Sequence, residues 1–223
     1  MNSNPKVVSN GSTVQLAVLN NGVAVLKLDA PDSKVNVLST AVMAELEAAL
    51  DPLAGMTEVR GLVIISAKAD NFIAGANIKE IVDIQRMAPT VAFEASQKGK
   101  EVFAKLTKLP YRTVVAIHGS CRGGGTELAL WCTHRLGSNS LKTDLGLPEV
   151  GLGFLPGWGG TVRLPRLIGA QKAMEMITQP LKAFDADKCW RMGLLDEVLP
   201  QEKLLERAIA VALGANVKKA RSS

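Results

Sequence analysis

Val114-Val115-Ala116-Ile117-His118-Gly119-Ser120-Cys121-Arg122-Gly123-Gly124-Gly125-Thr126-Glu127-Leu128-Ala129-Leu130 is the stretch whose reading decides the fold. Its first part, which with the preceding Thr113 runs to Ile117, is apolar without alternation, the pattern of a strand buried on both faces. A glycine triplet follows, and a helix-forming run starts directly after it. Glycines admit a ligand or a second backbone at close range, and the free N–H groups of a helix's first turn attract negative charge. Gly124 and Glu127 are three apart, so on a helix they share a face. An anion held by the Gly124 amide would then lie beside the Glu127 carboxylate. A glycine-rich packing turn with an exposed Glu explains the same residues, and the stretch alone leaves both readings open.

Specific motifs discriminate further. The glycine spacing does not fit a dinucleotide fingerprint, and no Gly-Lys-Ser/Thr closes a P-loop. Gly119-Ser120-Cys121-Arg122-Gly123 does fit a nucleophile elbow with a central Cys, which demands a His downstream. His134 is the sole candidate. It follows too closely along the same segment to return as a base, so the thiol alternative lacks a partner. His118 and His134 otherwise read as structural histidines.

Working outward, Val14 to Leu19 and Val23 to Leu28 are β-rich runs joined at Asn20-Asn21-Gly22, which predicts a hairpin. Ser39 caps a predicted helix to about Leu50, with Val42, Leu46, Ala49 and Leu50 on one face. Gly61 to Ser66 is a second buried-strand run. A long helix is predicted after Pro89, ending at Leu109-Pro110. Twelve of the 20 glycines fall between His118 and Gly169, so tight backbone geometry concentrates there. Asp185 to Met192 reads as a short helix stopped by Gly193. Pro200 opens another that runs to Leu213 and stops at Gly214. Strands alternate with helices, which makes the class α/β.

Three more segments carry polar groups of interest. In Leu145 to Phe154, Glu149 is the lone charge among apolar residues and glycines after Pro148; such a setting raises a carboxyl pKa toward neutrality. Glu127 and Glu149 would suit acid–base work on one water if the chain returns to bring them together. Asn71 to Glu80 places small residues before a helix, so backbone amides can face a ligand. Pro156 to Leu167 is a glycine turn leading into a basic helix start, and its plain reading is a structural loop with solvated arginines.

Composition bounds these readings. At 223 residues, 47% apolar and 21% charged, the chain is an ordinary globular one of roughly one to one and a half domains. Lys and Arg number 26 against 21 Asp and Glu, a net charge of +5 that fits an anionic small ligand or mere solubility. No apolar run is long enough to span a membrane. Met1 to Asn10 shows neither a secretory nor a transit pattern, and the expectation is a cytoplasmic protein. Cys121, Cys132 and Cys189 form no Cys-x-x-Cys pair, which argues against a disulfide framework or structural zinc.

In combination and order, these segments resemble the crotonase (enoyl-CoA hydratase/isomerase) family over about Val14 to Leu213. The resemblance is nearest to the N-terminal hydratase part of fatty-acid oxidation complex alpha subunits. It implies a crotonase-like spiral of β-β-α units whose C-terminal helical part is truncated, with a core over 1–200 and the start of the helical segment and a linker over 201–223. It implies Glu127 and Glu149 as catalytic residues, the Ala76 and Gly124 amides as an oxyanion hole, and Lys34, Val35 and Ala74 as coenzyme A contacts. Water would add to a 2-enoyl-CoA, with Δ3-to-Δ2 isomerisation as a second activity. No metal or other cofactor is implied beyond the coenzyme A of the substrate. Homo-oligomers or a thiolase-type subunit are the implied partners, with no nucleic acid. The downstream dinucleotide-binding half of such alpha subunits has no counterpart in these residues, so no nicotinamide-linked step is expected of them. Arg122, Asn77, Thr133-His134, Gln179 and the bulky Trp131 depart from the family pattern. With the expected truncation, they leave a catalytically silent acyl-CoA-binding or assembly module of the same fold as the alternative.

Overall fold

The computed structural model describes residues 5–182 and 184–218. The polar start up to residue 4 and the basic tail from residue 219, read above as a linker, lie outside them.

Strands β2 (Val14–Val18) and β3 (Val23–Leu28) form the expected antiparallel hairpin. Gly22 turns it at φ +80, and Asn21 Oδ1 accepts from the Val23 amide at 3.0 Å. The polar start gave no strand signal, yet β1 (Lys6–Asn10) pairs antiparallel with β2 at the sheet edge. Its half-exposed pattern is that of an edge strand, whose identity comes from its neighbour rather than from its own apolar content.

From β3 onward the main sheet is parallel. The two unbroken apolar runs become β4 (Gly61–Ser66) and β6 (Arg112–Ile117), and both are almost wholly buried. After each, the chain crosses to a second sheet. β4 is followed by β5 (Asn71–Ile73), β6 by β7 (Ser120–Arg122), and β8 (His134–Ser138) by β9 (Asp144–Gly146). The main sheet runs β1-β2-β3-β4-β6-β8-β11, with β11 spanning Glu197–Leu199; the small one runs β10-β9-β7-β5, with β10 at Phe184–Asp185. Each β-β pair is followed by helix, which is the expected spiral of β-β-α units. Gly119 makes the β6–β7 crossover possible: its φ is +65, and a Cβ there would lie 2.0 Å from the Asp70 carbonyl carbon.

The helices follow their sequence signals closely. α1 (Thr40–Leu50) is capped by Ser39 Oγ, which accepts from the Val42 amide, and buries Val42, Leu46, Ala49 and Leu50. α2 (Ile78–Gln85) is capped by Asn77, and α3 (Pro89–Lys108) starts on its proline. α4 (Gly124–Trp131), α5 (Gly160–Ile168) and α6 (Ala170–Thr178) follow. α7 (Ala186–Met192) has the Asp185 cap and ends on left-handed Gly193. The helix expected from Pro200 begins later: Gln201–Lys203 is a 3-10 turn, and α8 is Leu204–Ala212.

α1, α3 and the small sheet share the larger core with one face of the main sheet. α8 covers the opposite face, packing Leu204, Ala208 and Val211 on Val63, Val114 and Leu136. With both faces of β4 and β6 covered, a continuous apolar run is what the positions require. The polar work falls to the strand ends and loops at one side of the molecule.

Candidate active site

Two short elements build the site. α4 begins at the glycine triplet, where Gly123 (φ +50, ψ −122) acts as N-cap and its carbonyl accepts from the Glu127 amide at 2.9 Å. The Gly124 amide is therefore in the first turn and has no acceptor within the helix. Glu149 sits on a 3-10 turn, Pro148–Leu152, directly after β9. The return expected from the sequence takes place: β7 and β9 are parallel neighbours, so the elements following them converge.

A cavity of about 410 Å3 lies between them, lined by Ala74, Gly75, Ala76, Gly123, Gly124, Glu127, Glu149 and Trp158 among others. Both glutamates are buried, at 2% and 6% exposure. Glu127 Oε1 accepts from the Trp158 amide at 2.7 Å and from the Gly160 amide at 2.8 Å. Glu149 Oε2 is buried with no hydrogen-bond partner among the described residues. Such an atom is costly to leave unpaired and calls for a donor inside the cavity.

Electrostatics separates the two acids from ordinary surface carboxylates. Burial pushes Glu127 up to about 7, against the pull of its two amide donors and of Lys100. Burial pushes Glu149 up to about 7 as well, and the neighbouring Glu127 charge adds to the effect. They titrate as a pair. At neutral pH the pair can give one proton and take another.

Ala76 lines the same cavity, and its backbone pairing fixes how its amide is turned. Leu38 and Ala76 form an isolated parallel bridge, in which the Leu38 amide donates to Gly75 O (2.9 Å) and the Asn77 amide donates to Leu38 O (3.2 Å). The groups flanking Ala76 are turned toward Leu38, so its own N–H points the other way. Asn36 anchors this wall. Its side chain is buried and bonded to Ser66, Phe72 O and the Ala30 amide, while its carbonyl accepts from the Ala74 amide at 2.8 Å.

Five of the seven residues singled out from the sequence thus meet at one cavity: Ala74, Ala76, Gly124, Glu127 and Glu149. Lys34 and Val35 do not line it. They are exposed on the loop that leads into Asn36, where Ser33 Oγ bridges to the Val35 backbone. The sequence reading missed the amides of Trp158 and Gly160, because it took Pro156–Leu167 as a structural loop. The glycines flanking Trp158 were the available signal.

The departures from the family pattern find structural roles. Arg122 is bound to Asp144 across β7 and β9, with Nε donating to Oδ1 at 3.1 Å, and it is absent from the cavity lining. Asn77 caps α2 and bonds Glu80. Thr133, just before β8, and Thr113 in β6 exchange hydrogen bonds. Gln179 closes α6. The thiol alternative is overturned: Cys121 is fully buried on β7, beside Thr126, and burial pushes its thiol up to about 12. His118 is a buried structural histidine bonded to Lys68 O at 2.6 Å.

Residues 19–221 match the family model for enoyl-CoA hydratase/isomerase. This chain belongs to the enoyl-CoA hydratase/isomerase family. Among solved structures it is similar to an enoyl-CoA hydratase from Geobacillus kaustophilus HTA426, with a TM-score of 0.84 and 27% identity over 93% of this chain and 76% of that one. It is also similar to an enoyl-CoA hydratase from Bacillus anthracis, with a TM-score of 0.80 and 32% identity over 90% of this chain and 75% of that one. Among the described residues, no helix is long and apolar enough to cross a membrane.

Proposed function

We propose that this protein hydrates 2-enoyl-CoA thioesters, with Glu127 and Glu149 as the catalytic acid–base pair. The observation that carries the reading is the buried, unpartnered Oε2 of Glu149 in the cavity that also holds Glu127 and the Ala76 and Gly124 backbone. A thioester carbonyl would lie between those two amides. Water adds at C3 as Glu127 takes its proton, and the π electrons move through C2 onto the thioester oxygen. Preorganised N–H donors at that oxygen are worth roughly 3–4 kcal/mol each. The enolate collapses as C2 takes a proton from Glu149, and exchange between the acids and solvent resets the pair. A protonated Glu149 near neutral pH fits that role.

Isomerisation of a Δ3 to a Δ2 thioester uses the same two amides and one carboxylate to move a proton, and we propose it as a second activity. We propose a place in fatty-acid β-oxidation from the resemblance to oxidation-complex alpha subunits, and a coenzyme A role for Lys34 and Val35 from the same resemblance. Incubation with a short 2-enoyl-CoA in oxygen-18 water tests the reading. The expected product is a 3-hydroxyacyl-CoA carrying the label at C3. Saturable thioester binding without labelled product would instead make this fold a binding module.

A further inference from the structure

Glu127 owes its orientation to a loop, and the loop owes its shape to side chains outside the cavity. Three successive peptide planes run from Gly157 to Gly160. In the first, the Trp158 amide donates to Glu127 Oε1, while the opposite end of the plane, Gly157 O, accepts from Ser96 Oγ at 2.7 Å. In the third, the Gly160 amide donates to Glu127 Oε1, and Gly159 O accepts from the Val162 and Arg163 amides. The middle plane joins these two donors. Its carbonyl, Trp158 O, accepts from the indole Nε1 of Trp131 at 2.7 Å.

Two further facts show that the middle plane needs this support. Gly159 stands at φ +115, a conformation that leaves the backbone much freedom in the unheld chain. The Trp158 ring packs on Phe103, but on the Gly159 side lies a cleft of about 530 Å3, lined by Trp131, Gly159, Arg163 and Lys100 among others, so the middle plane takes its support there from the indole. Trp131 is itself held, with the Arg163 guanidinium 3.3 Å from the centre of its ring. A cation over an indole face fixes both groups.

We propose that Trp131 is a positioning residue for Glu127: its indole N–H holds the peptide between Trp158 and Gly159, so that the amides on either side stay aimed at Glu127 Oε1. Trp131 touches no reacting atom, and it departs from the family pattern at its place on α4. The inference rests on the hydratase reading for its kinetic consequence, though not for its structural one. Without the indole donor the loop relaxes, the ionised carboxylate loses directed N–H donors, and its affinity for a proton rises. The charged groups facing Glu127 are Glu149 from the 3-10 turn and Lys100 from α3, with Arg163 of α5 behind Trp131. Arg163 stacks on the indole itself, so the test variants must keep an aromatic face beneath it.

Two variants separate the donor from the packing. Trp131→Phe keeps an aromatic face under Arg163, and 3-benzothienylalanine at 131 keeps the full shape while replacing N–H by sulfur. Carbon-13 NMR titration of the Glu127 carboxyl, with hydration of a short 2-enoyl-CoA followed across pH, provides the test. Both variants should titrate about one pH unit higher, a tenfold change in proton affinity. The acid limb of kcat should move with it, and KM should change less than twofold. An unmoved titration in either folded variant overturns the proposal, as does loss of the folded state in both. If the wild type does not hydrate the thioester while the titration still moves, the hydratase reading fails and the positioning role stands. Hydration with an unmoved titration fails the positioning role alone.

Discussion

Replacing Glu149 by Gln should stabilise the protein at pH 8 and weaken it slightly at pH 4. The folded state raises this carboxyl from 4.5 to about 7, so it binds the proton more tightly than the unfolded chain does. Stability from that preference is fully present below pH 4.5 and is lost as pH rises through about 7. At roughly 1.4 kcal/mol per pH unit the loss at pH 8 is about 3 kcal/mol. Gln carries no charge to bury, but at the unpartnered place of Oε2 it brings two N–H donors where the protonated acid has one O–H, at a cost of about 1 kcal/mol for the extra unpaired donor. The net is about 2 kcal/mol of stabilisation at pH 8 and about 1 kcal/mol of destabilisation at pH 4. For a chain of this size, 1 kcal/mol moves Tm by about 2–4 °C. Melting followed by circular dichroism should therefore show the variant about 4–8 °C higher at pH 8 and about 2–4 °C lower at pH 4. A Tm difference that keeps one sign and size across this range refutes the reasoning.

A Cβ at Gly124 would lie 2.6 Å from Trp158 Cζ3, so Gly124→Ala must displace the indole. We expect about 1–3 kcal/mol lost in urea unfolding, with hydration falling at least about tenfold as the amide and the wall shift. All three cysteines are buried, which pushes their thiols well up, and they should resist a disulfide reagent until the chain is denatured; a thiol that reacts in the native state contradicts this burial. Arg135 is buried against Asp196, Leu194 O and Cys132 O. Arg135→Leu should cost about 3–5 kcal/mol, read as a lower urea midpoint with an unchanged m-value.

Much of the fold was legible where local chemistry and burial agree. β4 and β6 are uninterrupted apolar runs because both their faces are covered, and Ser39, Pro89, Asp185 and Gly193 mark helix ends by mechanisms internal to the backbone. β5, β7 and β9 are three residues each. They are strands only because parallel neighbours complete their ladders, and no three-residue window carries that information. β1 was missed because its antiparallel neighbour, and not its own apolar content, makes it a strand.

Within the site, side-chain chemistry was legible and backbone chemistry was not. Glu149 announced itself as a lone charge among apolar residues. The donors to Glu127 come from main-chain amides 31 and 33 residues further on, where residue identity says only that glycine is tolerated. Trp131 stood out only as bulky for its place, and its bond to Trp158 O and its stacking with Arg163 give it a role. Arg122 departed from the family pattern with no partner legible nearby, and Asp144, 22 residues on, takes its charge.

The most direct measurement is the rate at which a short 2-enoyl-CoA loses its conjugated-thioester absorbance with wild-type protein and with Glu127→Gln and Glu149→Gln, each checked for thioester binding. The account predicts that each substitution lowers kcat by about a hundredfold to ten-thousandfold while binding stays within a few fold. Wild-type turnover that persists in either variant would contradict it.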